Sequence, residues 1–180
     1  TEAGYAFIGG GWSNVAAGFC SVIGGGWQNN IGFLSSYCTI AGGQMNGAYR
    51  NYATVVGGKG NNAFSDYSTV AGGLSNHAGA AYAFVGGGRH NSIGDGGNFA
   101  WNSVDSGIAA GRYNLIYPGY FDGETTNTSE AAFIGGGELN VISNSSFSVI
   151  GGGQSNRVGT FDCATIPGGY GNTATGLYSM

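Results

Sequence analysis

An asparagine that returns about every fifteen residues constrains this chain more than any other feature. It ends a short pattern of one β-branched aliphatic residue, a small residue, two glycines and two variable residues, as in Val70 to Asn76. Self-similarity at so short a period is typical of repeat architectures, in which each unit buries its apolar face against its neighbours. The copies end at Asn14, Asn29, Asn46, Asn61, Asn76, Asn91, Asn114, Asn140, Asn156 and Asn172.

Each unit has room for two strands of four or five residues and two tight turns. Period-two alternation with β-branched residues indicates strands, and Gly-Gly-x-x-Asn indicates a turn with positive φ. We therefore predict an all-β fold, a parallel β-solenoid of ten coils of about 15 residues, stacked about 4.8 Å apart. Residues 1–180 form a single repeat domain with loop insertions at residues 94–106 and 117–130.

Successive residues of a strand point to opposite faces, so the repeat assigns an inside and an outside. The small residue and the Ile or Val of each copy point inward, where an aliphatic residue two positions after the asparagine meets them. One outer column contains Tyr5, Tyr37, Tyr52, Tyr67, Tyr82 and Phe147, and the next contains Phe7, Val22, Thr39, Thr54, Thr69 and Phe84. Soluble monomers rarely expose such a stripe, so we expect it to be buried against other protomers in a closed cyclic oligomer.

Composition excludes several classes of protein. Glycine occupies 39 of 180 positions without a three-residue period, and 24 aromatic residues (3 Trp, 11 Tyr and 10 Phe) argue against disorder. The net charge of −4 without a basic patch disfavours a nucleic-acid partner. No apolar run approaches the ~20 residues of a membrane span, so no membrane insertion is expected. The three cysteines lack metal-ligand spacing, so neither a metal nor a cofactor is predicted.

The unit from Ser68 to Gly79 resembles the head repeats of YadA-like trimeric autotransporter adhesins. It resembles equally the glycine-rich repeats of bacteriophage tail fibres and of proteins that end in an endosialidase-type chaperone. The resemblance implies a left-handed β-roll, a homotrimer and a role in surface attachment. Two departures are the glycine at positions such as Gly72, where the family has an aliphatic residue, and the asparagine where it has a serine. No neck, stalk or anchor is recognisable, which favours the fibre over the autotransporter.

The repeated asparagines are interpreted as structural turn residues, because asparagine side chains bond backbone groups of their own and adjacent turns. Positions that the repeat leaves free are better candidates for binding. Trp12 and Trp27 fall on adjacent coils and form either a platform for a sugar ring or a packing surface for a partner chain. Lys59, Arg89, Arg112, Glu138 and Tyr170 occupy the same free position in later coils.

The two insertions supply the other candidates, because loops inserted on one face of a solenoid often carry binding functions. Aromatic rings beside carboxylates suit a saccharide, and they suit a packed surface loop equally well. The predicted glycan-binding residues of the insertions are Trp101, Tyr117, Tyr120, Phe121, Asp122 and Glu124.

Catalysis is not expected, because hydrolysis of a glycan needs two carboxylates at a defined separation, which the sequence does not place. His77 and His90 fall at variable positions and are interpreted as solvated residues without partners. The threonine column of Thr39, Thr54 and Thr69 is typical of ice-binding solenoids, but Val22 and Phe84 interrupt it.

These patterns predict a structural and receptor-binding segment of an extracellular or phage tail fibre, at a cell surface or on a virion. Its expected partners are two further copies of the chain, other fibre segments and a host polysaccharide or receptor. The alternatives are an ice-binding or matrix-forming solenoid and a polysaccharide-depolymerising tailspike. Leu177 to Met180 begin another unit, so we expect the repeat to continue.

Overall fold

The computed structural model describes residues 4–94, 103–118 and 128–179, which form twenty short strands in two parallel sheets. The first sheet contains β1 (Phe7–Ile8), β3 (Val22–Ile23), β5 (Thr39–Ile40), β7 (Thr54–Val55), β9 (Thr69–Val70), β11 (Phe84–Val85), β13 (Gly107–Ile108), β15 (Phe133–Ile134), β17 (Val149–Ile150) and β19 (Thr165–Ile166). The second contains β2 (Val15–Ala16), β4 (Asn30–Ile31), β6 (Gly47–Ala48), β8 (Asn62–Ala63), β10 (His77–Ala78), β12 (Ser92–Ile93), β14 (Leu115–Tyr117), β16 (Val141–Ser143), β18 (Arg157–Gly159) and β20 (Thr173–Ala174).

Each strand pairs in parallel with its counterpart one coil later, and the register is that of the sequence repeat. Ile8 pairs with Ile23 and Ile23 with Ile40, while in the other sheet Ala63 pairs with Ala78. The prediction of an all-β parallel solenoid is therefore confirmed, and the stack makes about nine turns.

The strands are shorter than predicted, because most contain two residues and the longest contain three. The prediction of four or five residues was wrong because it missed a third side of the coil. On that third side, one residue of each coil pairs in parallel with its counterpart in the next coil, as Lys59 pairs with Leu74. A left-handed corner follows each of these residues. Each regular coil therefore has three short sides, and a residue with positive φ, such as Tyr67, Gly73 or Ser75, turns the chain near each corner.

The interior is one residue thick on each side and consists of the columns that the repeat predicts. Every coil between the ends contributes a fully buried Ile or Val from the first sheet, such as Val70, and an aliphatic residue from the second, such as Ala78. Small residues such as Ala83 and Cys38 fill the remaining space. Stability therefore comes from repeated contacts between adjacent coils rather than from one central core.

The coil resumes its register directly after each stretch that the structure leaves undescribed. Asp105 donates its backbone N–H to Ala81, and Ala131 donates to Val104, as Tyr82 donates to Asp66 in the preceding coil. Residues 103–106 and 129–130 therefore belong to the coils. Both undescribed stretches follow the second-sheet strands of consecutive coils, β12 and β14.

Candidate functional site

A ladder of buried asparagines closes one corner of the coil. Asn76 donates its Nδ2 to Gly72 O in its own coil (2.8 Å) and to Gly88 O in the next (3.0 Å), while its Oδ1 accepts from the backbone N–H of Asn91 (3.0 Å). The asparagines of the other inner coils make equivalent bonds and are buried. Since these side chains satisfy the backbone hydrogen bonds of the turn from the inside, the residues on its outer side are free to vary.

Those variable residues form what we call the ladder edge. Their backbones are joined by parallel bridges, and the residue after each of them has a left-handed backbone, as in His90 (φ 55°) and Gly60 (φ 66°). Side chains of successive coils therefore stand side by side along the solenoid, about 4.8 Å apart. The members of the ladder edge are Trp12, Trp27, Gln44, Lys59, Leu74, Arg89, Arg112, Glu138, Gln154 and Tyr170.

Trp12 and Trp27 are stacked at one end of the ladder edge. Their ring centroids are 5.7 Å apart with an interplanar angle of 17°. Trp12 is 64% exposed and Trp27 is 36% exposed, so the pair presents an accessible apolar plane. An exposed aromatic plane of this kind can pack against the apolar face of a sugar or against another protein chain.

Four coils further along the ladder edge lies a basic cluster, defined by Arg89, His90, Arg112 and Tyr113. The rings of His90 and Tyr113 stack with centroids 5.0 Å apart and an interplanar angle of 4°. The guanidinium carbons of Arg89 and Arg112 lie 5.7 and 5.8 Å from the centre of the Tyr113 ring. Arg112 also forms an ion pair with Glu138, and all four cluster residues are exposed.

On another corner, four tyrosines form a continuous stack that we call the tyrosine edge: Tyr37, Tyr52, Tyr67 and Tyr82. Their centroids are 5.0, 4.8 and 4.9 Å apart and their planes are within 9° of parallel. They occupy left-handed backbone positions with φ between 56° and 60°, at the turn before the first strand rather than within the strand itself. Each ring is about half exposed, so the residues that the structure describes leave the stack partly uncovered.

An apolar column runs beside the tyrosine edge on the outer face of the first sheet. Phe7, Val22, Phe84 and Phe133 are exposed, and Thr54 and Thr69 are half-buried. Together with the tyrosine edge, this column leaves aromatic and aliphatic side chains of many consecutive coils on the surface.

Most of the predicted binding residues of the insertions lie outside the described part of the chain: Trp101, Tyr120, Phe121, Asp122 and Glu124. Tyr117 is described, and it ends β14 at the root of the second insertion. Its carbonyl accepts a hydrogen bond from Ser129 Oγ (2.7 Å), which joins the two ends of the second insertion. Because Gly94 N–H donates to Ile116 O, the roots of both insertions lie on neighbouring strands.

The two histidines have aromatic partners, so the interpretation of them as residues without partners was wrong, while His90 is exposed as expected. His90 stacks on Tyr113, and the His77 ring lies 4.5 Å from the Phe64 ring at 41°. The sequence contained the signal for the first pair, because His90 and Tyr113 each stand directly before a repeated asparagine.

Among residues 4–94, 103–118 and 128–179, no group of three His, Cys, Asp or Glu side chains could hold a metal ion. The same residues include no helix long and apolar enough to cross a membrane. The three cysteines are free, and burial raises the pKa of the Cys38 thiol above its ordinary value. None of these observations adds a further candidate site to the ladder edge and the tyrosine edge.

Comparison of the chain with protein families and with curated proteins finds no match. The class of protein is therefore defined by its fold alone, as a parallel β-solenoid with one uniform aromatic edge and one variable edge.

Proposed function

We propose that this chain is a rigid shaft segment of an extracellular or virion fibre, in which three copies of a left-handed solenoid associate and attach to surface glycans. The tyrosine edge carries this proposal. Four parallel aromatic rings, half exposed and continued by the apolar column beside them, form a longer apolar surface than soluble monomers usually expose. A second and third copy of the chain would cover it.

The stacking of the coils supports the role of a shaft. Each sheet is continuous over ten strands, and the asparagine ladder adds side-chain bonds between successive coils. A repeat structure of this kind is extended and is held together by contacts between neighbouring units. Such a rod can present binding groups at a distance from whatever anchors it, and three copies would bind with avidity.

Attachment to glycans is supported by the Trp12–Trp27 stack and by the two insertions, which follow the neighbouring strands β12 and β14. In this proposal Trp12, Trp27, Trp101, Tyr117, Tyr120, Phe121, Asp122 and Glu124 contact sugar, and the repeated asparagines serve the fold. The shaft performs no catalysis, needs no cofactor and belongs at a cell surface or on a virion.

Ice binding would use the threonine column, in which Thr39, Thr54 and Thr69 pair in register on adjacent strands. That column extends over three coils before Val22 and Phe84 end it, and it adjoins the tyrosine edge. We therefore prefer the shaft. Thermal hysteresis of the purified protein would favour ice binding instead.

Light scattering of the full chain tests the assembly. We expect a trimer, and we expect replacement of Tyr52 and Tyr67 by serine to lower the oligomer mass, because the change removes the centre of the apolar surface. The control is Tyr170→Ser, which removes an exposed ring from the ladder edge and should leave the mass unchanged. A stable wild-type monomer at micromolar concentration would contradict the proposal.

Binding to a glycan array tests the attachment. Trp12→Ala should weaken binding to neutral glycans about 2- to 10-fold, because it removes half of the exposed aromatic plane. Gln154→Ala changes a residue on the same edge at the opposite end of the solenoid and should have no effect. Wild-type protein that binds no glycan would exclude the attachment role.

A further inference from the structure

We infer that the basic cluster is a binding site for an oxyanion of a surface glycan, a carboxylate or an ester sulfate or phosphate carried by a sugar. This inference rests on the proposed attachment to glycans and specifies the ligand class. It concerns residues of the coils themselves, in addition to the insertions and the tryptophan stack.

Cations are rare in this chain and unevenly placed. The sequence has 5 Lys and Arg against 9 Asp and Glu, yet the ladder edge holds three of the five cations, Lys59, Arg89 and Arg112. Arg89 and Arg112 are direct neighbours across one parallel bridge. Side chains of like charge directly opposite each other on adjacent strands are destabilising. The fold therefore tolerates a pairing that stability alone disfavours.

The ion pair with Glu138 offsets only part of that repulsion. Glu138 lies on the far side of Arg112, across the next bridge, and forms its ion pair with Arg112. Arg89 forms no ion pair within the described ranges of the chain. A second anion, supplied by a ligand, would bind where Arg89 faces Arg112.

The Tyr113 ring helps to position both guanidinium groups. Each lies within 6 Å of the ring centroid, and His90 stacks with that ring. A guanidinium held against an aromatic ring keeps N–H groups available, and its fork matches the two oxygens of a carboxylate or phosphate. The cluster is exposed, so a large polymer can reach it.

Position along the ladder edge favours a saccharide over a small free anion. Four coil steps separate Trp27 from Arg89, which corresponds to roughly 19 Å along the solenoid. An extended glycan lying along this edge would contact the tryptophan stack with its apolar ring faces and the basic cluster with its acidic groups. A free phosphate ion would use the cluster alone.

The test measures binding of the protein, residues 1–180, to oligogalacturonate, to its methyl ester, which carries no charge, to sulfated dextran oligomers and to inorganic phosphate. We expect the wild type to bind at least one of the two anionic oligomers at least tenfold more tightly than the methyl ester and phosphate. Arg89→Gln should weaken that binding about tenfold. Arg157→Gln is the matched control, because it removes the same unit of charge from an exposed arginine of β18, away from the ladder edge, and should change binding less than twofold.

Glu138→Gln makes the opposite change. It removes the carboxylate that competes for Arg112, so binding of the anionic oligomer should rise severalfold, a gain that misfolding would not produce.

Several results would overturn the inference. Equal losses in Arg89→Gln and Arg157→Gln would mean that only overall charge matters. Binding of phosphate as tight as that of either oligomer would exclude a glycan site. Retained binding of neutral glycans with no preference for anionic ones would refute the basic cluster and leave the proposed function standing. Absence of binding to every glycan would refute both.

Discussion

The ladder edge and the tyrosine edge follow similar left-handed corners of the same coil, but their side chains differ. Outside the asparagine corner stand tryptophan, glutamine, lysine, leucine, arginine and glutamate in successive coils. At the other corner the same aromatic residue repeats over four coils, from Tyr37 to Tyr82. The contrast has a physical origin in what holds each corner from within.

The asparagine corner is satisfied internally by a continuous ladder of side-chain hydrogen bonds. The tyrosine corner has only a partial equivalent, in which Asn51 and Asp66 accept backbone N–H groups from Ser36 and Asn51. There the stacked rings themselves supply contacts between coils. A corner held from inside leaves its outer residues free for ligands, whereas a corner held by its own surface residues keeps them uniform.

The strongest way to disrupt both edges is to change the glycine on which the coil spacing depends. Gly73 has φ +93°, and a Cβ there would lie 2.2 Å from the carbonyl oxygen of Gly88 in the next coil. We expect Gly73→Ala to lower the free energy of unfolding by more than about 3 kcal/mol, measured by urea denaturation. Its neighbour Gly72 has open space around the same atom, so Gly72→Ala should change stability by less than about 0.5 kcal/mol. Equal effects of the two substitutions would contradict this explanation.

Removal of one member of the asparagine ladder should have the next largest effect. Asn76→Ala deletes three hydrogen bonds and leaves the carbonyls of Gly72 and Gly88 and the N–H of Asn91 without that partner. We expect a loss of about 2 kcal/mol in denaturation experiments. Asn62→Ala is the control, since that side chain makes a single long bond (3.3 Å) within its own coil. A loss below about 0.5 kcal/mol for Asn76→Ala would mean that the ladder does not hold the corner.

Thiol alkylation measures whether the tyrosine corner is covered while the ladder edge is open. Cys20 and Cys163 occupy the tyrosine position of their coils, directly before Ser21 and Ala164. In a Cys38→Ala background, the thiol added by Gln154→Cys should react about tenfold faster than either native thiol in the assembled protein. That rate ratio corresponds to a difference of about 1.4 kcal/mol in activation free energy. Cys38 is replaced because it is buried with a raised pKa and would add a slow phase. Equal rates at all three sites would show that the tyrosine corner is uncovered.

The repeat was sufficient to predict the solenoid because residues at equivalent positions of successive copies are buried to the same extent. Ile40, Val55 and Val70 are fully buried and paired in the register that alignment on the asparagines gives. The strand length was not predictable in the same way. Tyr67 and Ser75 adopt left-handed φ although neither residue type favours it, and their conformation is imposed by pairing with the adjacent coils.

The candidate site was only partly predictable. Aligning the copies brought Trp12 next to Trp27 and Arg89 next to Arg112, and both pairs are neighbours in the structure. The stack of His90 on Tyr113 was missed, although the same alignment places both residues directly before a repeated asparagine. Side-chain stacking depends on the position in the coil rather than on the interval along the chain.

The bridges of the ladder edge also define how such a surface can evolve. Each coil pairs only with the one before and the one after, so gain or loss of a single fifteen-residue unit leaves every other contact unchanged. The tryptophan stack and the basic cluster would then move apart or together by about 4.8 Å, the thickness of one coil. Unequal recombination can therefore change the spacing between the tryptophan stack and the basic cluster while both groups of side chains stay unchanged.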